Sequence, residues 1–144
     1  MNYKHILVMI DLSSESYFLM KKASLISSFC DTKISIIYIN VNYSNMYPGL
    51  IDVDSRHLHV YCGMKQISNI LKSFKDYIFC PIYKTFLGNG DLVSCLLNVI
   101  KKYNIDLVIF GHYQDFWSKM LSSVRQIINS LHIDMLVVPF RPYN

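Results

Sequence analysis

The sequence predicts an α/β fold in which a parallel sheet is covered by helices on both faces. Two observations lead there. Five short runs are rich in Ile, Val and Leu, and stripes of apolar residues at helical spacing lie between them. Near-continuous apolar runs suit strands buried on both faces. Alternation of strand and helix then implies right-handed crossovers and a doubly wound sheet. At 144 residues the chain fits one domain able to bury roughly two-thirds of its unfolded surface.

The first strand is expected from His5 to Asp11. Ser13-Ser14 follows as a helix N-cap pair with Asp11 nearby, and Leu19, Ala23, Ile26 and Cys30 form the buried stripe of the first helix. The second strand runs from Lys33 to Val41. The interval Asn42 to Asp54, with Tyr43, Tyr47, Pro48 and Gly49, reads as an ordered aromatic-rich loop. Val60, Met64, Ile67, Leu71, Phe74 and Ile78 make a longer helical stripe that tolerates Gly63 at a cost of ~1 kcal/mol.

The third strand is expected from Ile82 to Leu87. Gly88-Asn89-Gly90-Asp91 reads as a turn, with Asp91 capping a helix whose stripe is Val93, Leu96, Leu97 and Ile100. The fourth strand, Asp106 to Phe110, is followed by Gly111-His112-Tyr113-Gln114. A last stripe of Leu121, Val124, Ile128 and Leu131 precedes the fifth strand, Asp134 to Val138.

Composition excludes several functions. The apolar fraction is 52% and the charged fraction 17%, which describes a packed chain rather than a disordered one. No apolar run approaches the ~20 residues that span a bilayer. The N-terminus, Met1 to His5, lacks the apolar core of a secretory signal, so a cytoplasmic location is expected. Net charge is +4, and Lys21-Lys22 and Lys101-Lys102 are isolated doublets, so no direct nucleic-acid binding is expected. Cys30, Cys62, Cys80 and Cys95 contain no Cys-x-x-Cys pair and read as reduced, mostly buried thiols. His57-x-His59 falls near a helix start, where that spacing points the rings apart, so no metal site is expected. Ala23 is the only alanine and Glu15 the only glutamate, while Ile, Asn, Lys, Tyr and Phe are abundant. That bias follows AT-rich codons and carries no functional message for single surface residues.

The turn leaving the fourth strand is where a doubly wound sheet presents backbone N–H groups to a phosphate. Close approach needs glycine. Gly111 is present, but Gln114 stands where a second glycine would help, and bulky Phe116 and Trp117 follow. His112 sits at the same point without a Ser, Cys or carboxylate partner that the sequence can assign, so no catalytic residue is expected.

Three segments resemble one family. Tyr3 to Ser13 is similar to the first strand of the universal stress proteins, Ile105 to His112 to their fourth, and Asp134 to Pro139 to their last. Tyr43-Ser44, Tyr47, Gly49 to Val53 and Gln114 to Lys119 resemble the universal stress protein A branch. The resemblance covers essentially the whole chain. It implies a five-stranded parallel sheet in the order 3-2-1-4-5, a Rossmann-like fold with its switch point between Asp11 and Gly111. Nucleotide-binding members carry Gly-x-x-Gly, nine residues, then Gly-Ser/Thr. Here Gln114 replaces the second glycine. Counting nine onward reaches Val124-Arg125, and a loop two residues shorter puts Ser122-Ser123 at the Gly-Ser position. The resemblance therefore implies a non-enzymatic stress protein without a cofactor, acting in growth arrest and resistance to DNA-damaging agents. The alternative is an ATP-dependent switch or slow nucleotidase using Asp11, Gly111, His112, Gln114, Ser122 and Ser123.

In the order 3-2-1-4-5 the third and fifth strands are the edges. Pro81 and Lys84 protect the third. Met135, Leu136, Val137 and Val138 have no such protection, and antiparallel pairing with a second copy would close that edge by two-fold symmetry. A homodimer is expected, as the family resemblance also implies. The competing arrangement has Phe140 to Asn144 covering the edge of a monomer.

Overall fold

A computed structural model describes residues 2–10, 16–29, 31–40, 49–52, 69, 72–74, 80–89, 92–112, 125 and 127–139. Within them lie β1 (His5–Ile10), α1 (Ser16–Ser27), β2 (Lys33–Asn40), β3 (Gly49–Asp52), β4 (Ile82–Asn89), α2 (Leu92–Tyr103), β5 (Leu107–His112) and β6 (Asp134–Pro139). The sheet order is β3-β4-β2-β1-β5-β6. Every pairing is parallel except β3 with β4. Without β3, this is the five-stranded parallel sheet the sequence predicts, in the expected order.

The extra strand corrects the reading of residues 42–54 as loop. Gly49–Asp52 pairs antiparallel with Phe86 to Asn89. Gly88 is thereby held between Ile39 on one side and Leu50 on the other. The expected turn at Gly88-Asn89 is accordingly strand, because a ladder partner is present on both sides. Gly90 and Asp91 lie outside the described residues. The third parallel strand is thus an edge only over its first half, where Pro81 and Lys84 sit. At that end the β2–β4 register skips Tyr83, a bulge that leaves its ring half exposed.

β1 is buried at every position. Its alternate residues feed two cores. Ile6, Val8 and Ile10 pack with Leu19, Met20 and Ala23 of α1 and with Phe74. Leu7 and Met9 pack with Val93, Leu96, Val99 and Ile100 of α2 and with Ile127 and Leu131. The stripes expected for α1 and α2 therefore face the sheet, except that Cys30 lies outside the described residues. The last helical stripe needs correction at one position. Ile127 and Leu131 point inward and Ile128 is 54% exposed, because i and i+4 share a face and Ile128 is turned by 100° from it. Leu121, Val124 and most of the 60–78 stripe lie outside the described residues.

α2 ends on a Schellman motif. Asn104 takes φ 52°, and the N–H of Ile105 donates to the carbonyl of Ile100 over 3.1 Å. Ile100 and Ile105 are both buried in the same core. Lys101 and Lys102 fill the last turn, where positive charge suits the helix dipole. No helix among the described residues is long and apolar enough to cross a membrane.

Candidate functional site

The carboxyl ends of β1 and β5 form the switch point. These strands are neighbours, but the described helical residues that come after them in the chain pack on opposite faces of the sheet. α1, after β1, packs on the Ile6–Val8 face. The helical residues after β5, including Ile127, pack on the Leu7–Met9 face. A crevice between diverging connections is the ligand position of doubly wound sheets.

The structure places the sequence-predicted residues unevenly around it. β1 ends at Ile10, and Asp11 lies outside the described residues, as do Gln114, Ser122, Ser123, Phe116 and Trp117. Gly111 is buried and belongs to β5, in register with Val138, and His112 is in register with Pro139. This corrects the expectation that Gly111 begins the turn. β5 runs two residues further because β6 extends alongside it as far as Pro139. Proline has no N–H to donate and suits the end of that ladder. The connection leaving β5 thus begins after His112.

Among the described residues, β6 has β5 on one side only. None of its residues is fully buried: Met135, Leu136 and Val138 are half-buried, and Val137 is 39% exposed. Met135 packs toward one core, while Leu136 and Val138 pack toward the other. The four expected interface residues thus lie on an edge strand whose apolar side chains are only partly covered.

At the opposite end of the sheet is a polar cluster that sequence reasoning took as plain strand starts. The Tyr3 hydroxyl donates to Asp134 over 2.8 Å, and that hydrogen bond holds the phenol pKa above its ordinary value. The Thr32 hydroxyl donates to the Tyr3 carbonyl over 2.7 Å. His5 is buried, with Nδ1 at 3.0 Å from the Tyr103 carbonyl and Nε2 at 2.7 Å from Ser35 Oγ. A carbonyl only accepts, so Nδ1 carries the proton in the neutral ring, and Nε2 accepts from the Ser35 hydroxyl. Burial lowers the imidazole pKa, and Lys33 adds to that effect, against opposing contributions from Tyr103 and Asp106. The Lys33 ammonium sits 4.5 Å from the Tyr83 ring centre, and that ring meets His5 edge-on at 5.5 Å. The signal for this cluster was available: Asp106 and Asp134 each sit just ahead of an apolar run. Of the cysteines, Cys95 is buried, and Cys80 is half-buried with its sulfur 3.2 Å from Ser27 Oγ. Cys30 and Cys62 lie outside the described residues.

No family model matches the chain. Whole-length relatives do. A universal stress protein A from Buchnera aphidicola subsp. Baizongia pistaciae is 64% identical over 141 residues, covering 97% of this chain and 99% of that protein. Another from Yersinia pestis is 46% identical over 141 residues, covering 98% and 95%. The chain belongs to the universal stress protein A family. The fold agrees as well. A universal stress protein solved in complex with cAMP superposes with a TM-score of 0.65 at 15% identity, covering 98% of this chain and all of that one. The five parallel strands therefore have the fold of universal stress proteins, and β3 lies at one edge of the sheet. The resemblance read from the first, fourth and last parallel strands holds at the level of the family.

Proposed function

We propose that this universal stress protein supports survival during growth arrest and stress, including exposure to DNA-damaging agents, as a cytoplasmic homodimer without enzymatic activity. The observation that carries the reading is the 64% identity, across 97% of the chain, to a protein bearing the universal stress protein A name. Deleting the gene should lower survival under starvation, oxidants and ultraviolet light. Unchanged survival under all three overturns the reading.

Stress protection in this reading requires no nucleotide. Support comes from the chain's own residues: Gln114 stands at the motif's second glycine, and its Gly-Ser/Thr position carries Val124-Arg125 or, with a loop two residues shorter, Ser122-Ser123, so both glycines are missing. A side chain there keeps a phosphate from the backbone N–H groups. The competing reading, a nucleotide-dependent switch or slow nucleotidase at Asp11, Gly111, His112, Gln114, Ser122 and Ser123, draws on the switch point at the carboxyl ends of β1 and β5. It also draws on a structural neighbour that holds cAMP. Calorimetry with ATP and magnesium, and separately with cAMP, decides between them. A dissociation constant of ~10 μM or tighter, near −7 kcal/mol, establishes the competing reading. Gln114→Gly combined with Ser122→Gly should raise the affinity for ATP. No change removes the support for a blocked loop.

The homodimer forms through β6. Its open backbone groups and half-covered Met135, Leu136, Val137 and Val138 favour antiparallel pairing with a second copy. A particle of ~17 kDa by light scattering at micromolar concentration, the mass of one chain, overturns this part.

A further inference from the structure

α1 turns Leu19, Met20, Ala23 and Ser27 toward the sheet. Its outward side is not the polar face that such a helix normally shows to water. Phe18 and Leu25 are 50% and 57% exposed, and Phe29, just past the helix end, is 81% exposed. A spacing of seven residues puts Phe18 and Leu25 on one side of α1 about 10 Å apart, and Phe29 follows just past the helix end. Lys21 and Lys22 lie between Phe18 and Leu25 in the helix, and α1 contains no acidic residue. Beside the ridge, a groove of about 530 Å³ opens between α1 and β6, with Phe18, Lys21, Lys22, Ser24, Leu25 and Val138 in its walls. An aligned apolar ridge next to an apolar groove marks an interaction surface.

We propose that the ridge and groove of α1 receive an acidic amphipathic helix from a partner protein. Apolar side chains at i, i+3/i+4 and i+7 of that helix enter the groove along Phe18 and Leu25, leaving Val138 to the β6 pairing. Its carboxylates meet Lys21 and Lys22. Charge selects this occupant over a second copy of the chain. The lysine pair lies between Phe18 and Leu25, so two-fold packing of α1 on its own copy brings four ammonium groups together. Shape selects it over a lipid surface, because a bilayer accepts a protruding apolar face but leaves a groove beside it unfilled. The surface lies on a helix face away from the crevice at the ends of β1 and β5. It does not depend on whether that crevice binds nucleotide.

The test uses the full chain and a fluorescent synthetic helical peptide of about 18 residues, with leucines at helical spacing flanked by glutamates. A twin peptide carries lysine at every glutamate position. Anisotropy should show the glutamate peptide binding about tenfold or more tightly than its twin. The double variant Lys21→Glu, Lys22→Glu should reverse that preference, and Leu25→Glu should weaken both peptides. All three positions are exposed, and circular dichroism of each variant checks that the fold is kept. Equal binding of the two peptides, or no binding of the glutamate peptide, overturns the proposal. So does Leu25-dependent binding to anionic phospholipid vesicles in place of peptide. Loss of self-association in Leu25→Glu overturns it in favour of a contact between copies.

Discussion

Asp106 and His5 hold each other through two hydrogen bonds. The Asp106 carboxylate accepts the His5 N–H over 3.0 Å, while the Asp106 N–H donates to the His5 carbonyl over 3.1 Å. The same carboxylate accepts the Lys4 N–H over 2.7 Å. One side chain thus fixes where β5 starts against β1. Asp106→Ala should destabilise the fold by about 2 kcal/mol, since charged hydrogen bonds contribute more than neutral ones. Asp106→Asn keeps one oxygen acceptor and should lose about half as much. Urea denaturation of the three proteins checks the order. Equal stability of wild type and Asp106→Ala would show that water replaces the carboxylate without loss.

His5 makes stability depend on pH. Its folded-state pKa lies below the ordinary value near 6.5 because burial disfavours the charged ring. The unfolded chain therefore binds the proton more tightly. The stability contributed by neutral His5 is fully present above pH 6.5 and is lost as pH falls from there through the folded-state pKa. Replacing His5 with Asn should lower stability at pH 7.5 and flatten the slope between pH 7 and 5. Denaturant midpoints at several pH values measure both. An unchanged slope in His5→Asn assigns the pH dependence to other groups.

Asn104 occupies a left-handed position that asparagine tolerates and alanine does not. Asn104→Ala should cost about 1 kcal/mol, whereas Asn104→Gly should be neutral or slightly stabilising. Thermal melts should rank Gly at or above Asn, and Asn above Ala. Any other order places the cost somewhere other than the Ile100–Asn104–Ile105 cap.

Val137 lies mid-way along the open side of the sheet and is already 39% exposed. Val137→Lys puts a charge where an edge-paired dimer must exclude water, while an isolated chain can extend the side chain into solvent. Light scattering should show one-chain mass for the variant and two-chain mass for the wild type. Circular dichroism should be the same for both. A dimer that survives the lysine locates the contact elsewhere.

The parallel strands could be read from the sequence because each is a local signal. Runs such as Leu107-Val108-Ile109-Phe110 leave little choice of conformation when both faces are buried. β3 could not be read in that way. Gly49-Leu50-Ile51-Asp52 is too short to announce itself, and it is held by the ladder to Phe86 to Asn89, a tertiary cause. The same cause carried β4 through Gly88 and β5 through Gly111, glycines that a sequence argument takes as stops. Ile127 and Ile128 are adjacent and equally apolar, so only packing decides which one faces Leu7 and Met9. At the candidate site, the strand order located the crevice. Gln114, Ser122 and Ser123 sit on no regular apolar period, so only a motif gives them a place at a phosphate loop. The Asp106–His5 clamp escaped notice because its partners are a hundred residues apart in the chain.

β1 is made first and occupies the middle of the sheet, which has a consequence for synthesis. Lys33 can pair beside His5 early, but the other flank of β1 waits for Leu107, and Tyr3 waits for Asp134. Ribosomes add ~5–20 residues per second, so an apolar strand stands half-covered for several seconds before its neighbour exists. Folding therefore ends only when nearly the whole chain has emerged. Products truncated before Leu107 should expose one flank of β1 as a sticky apolar surface that chaperones and proteases recognise.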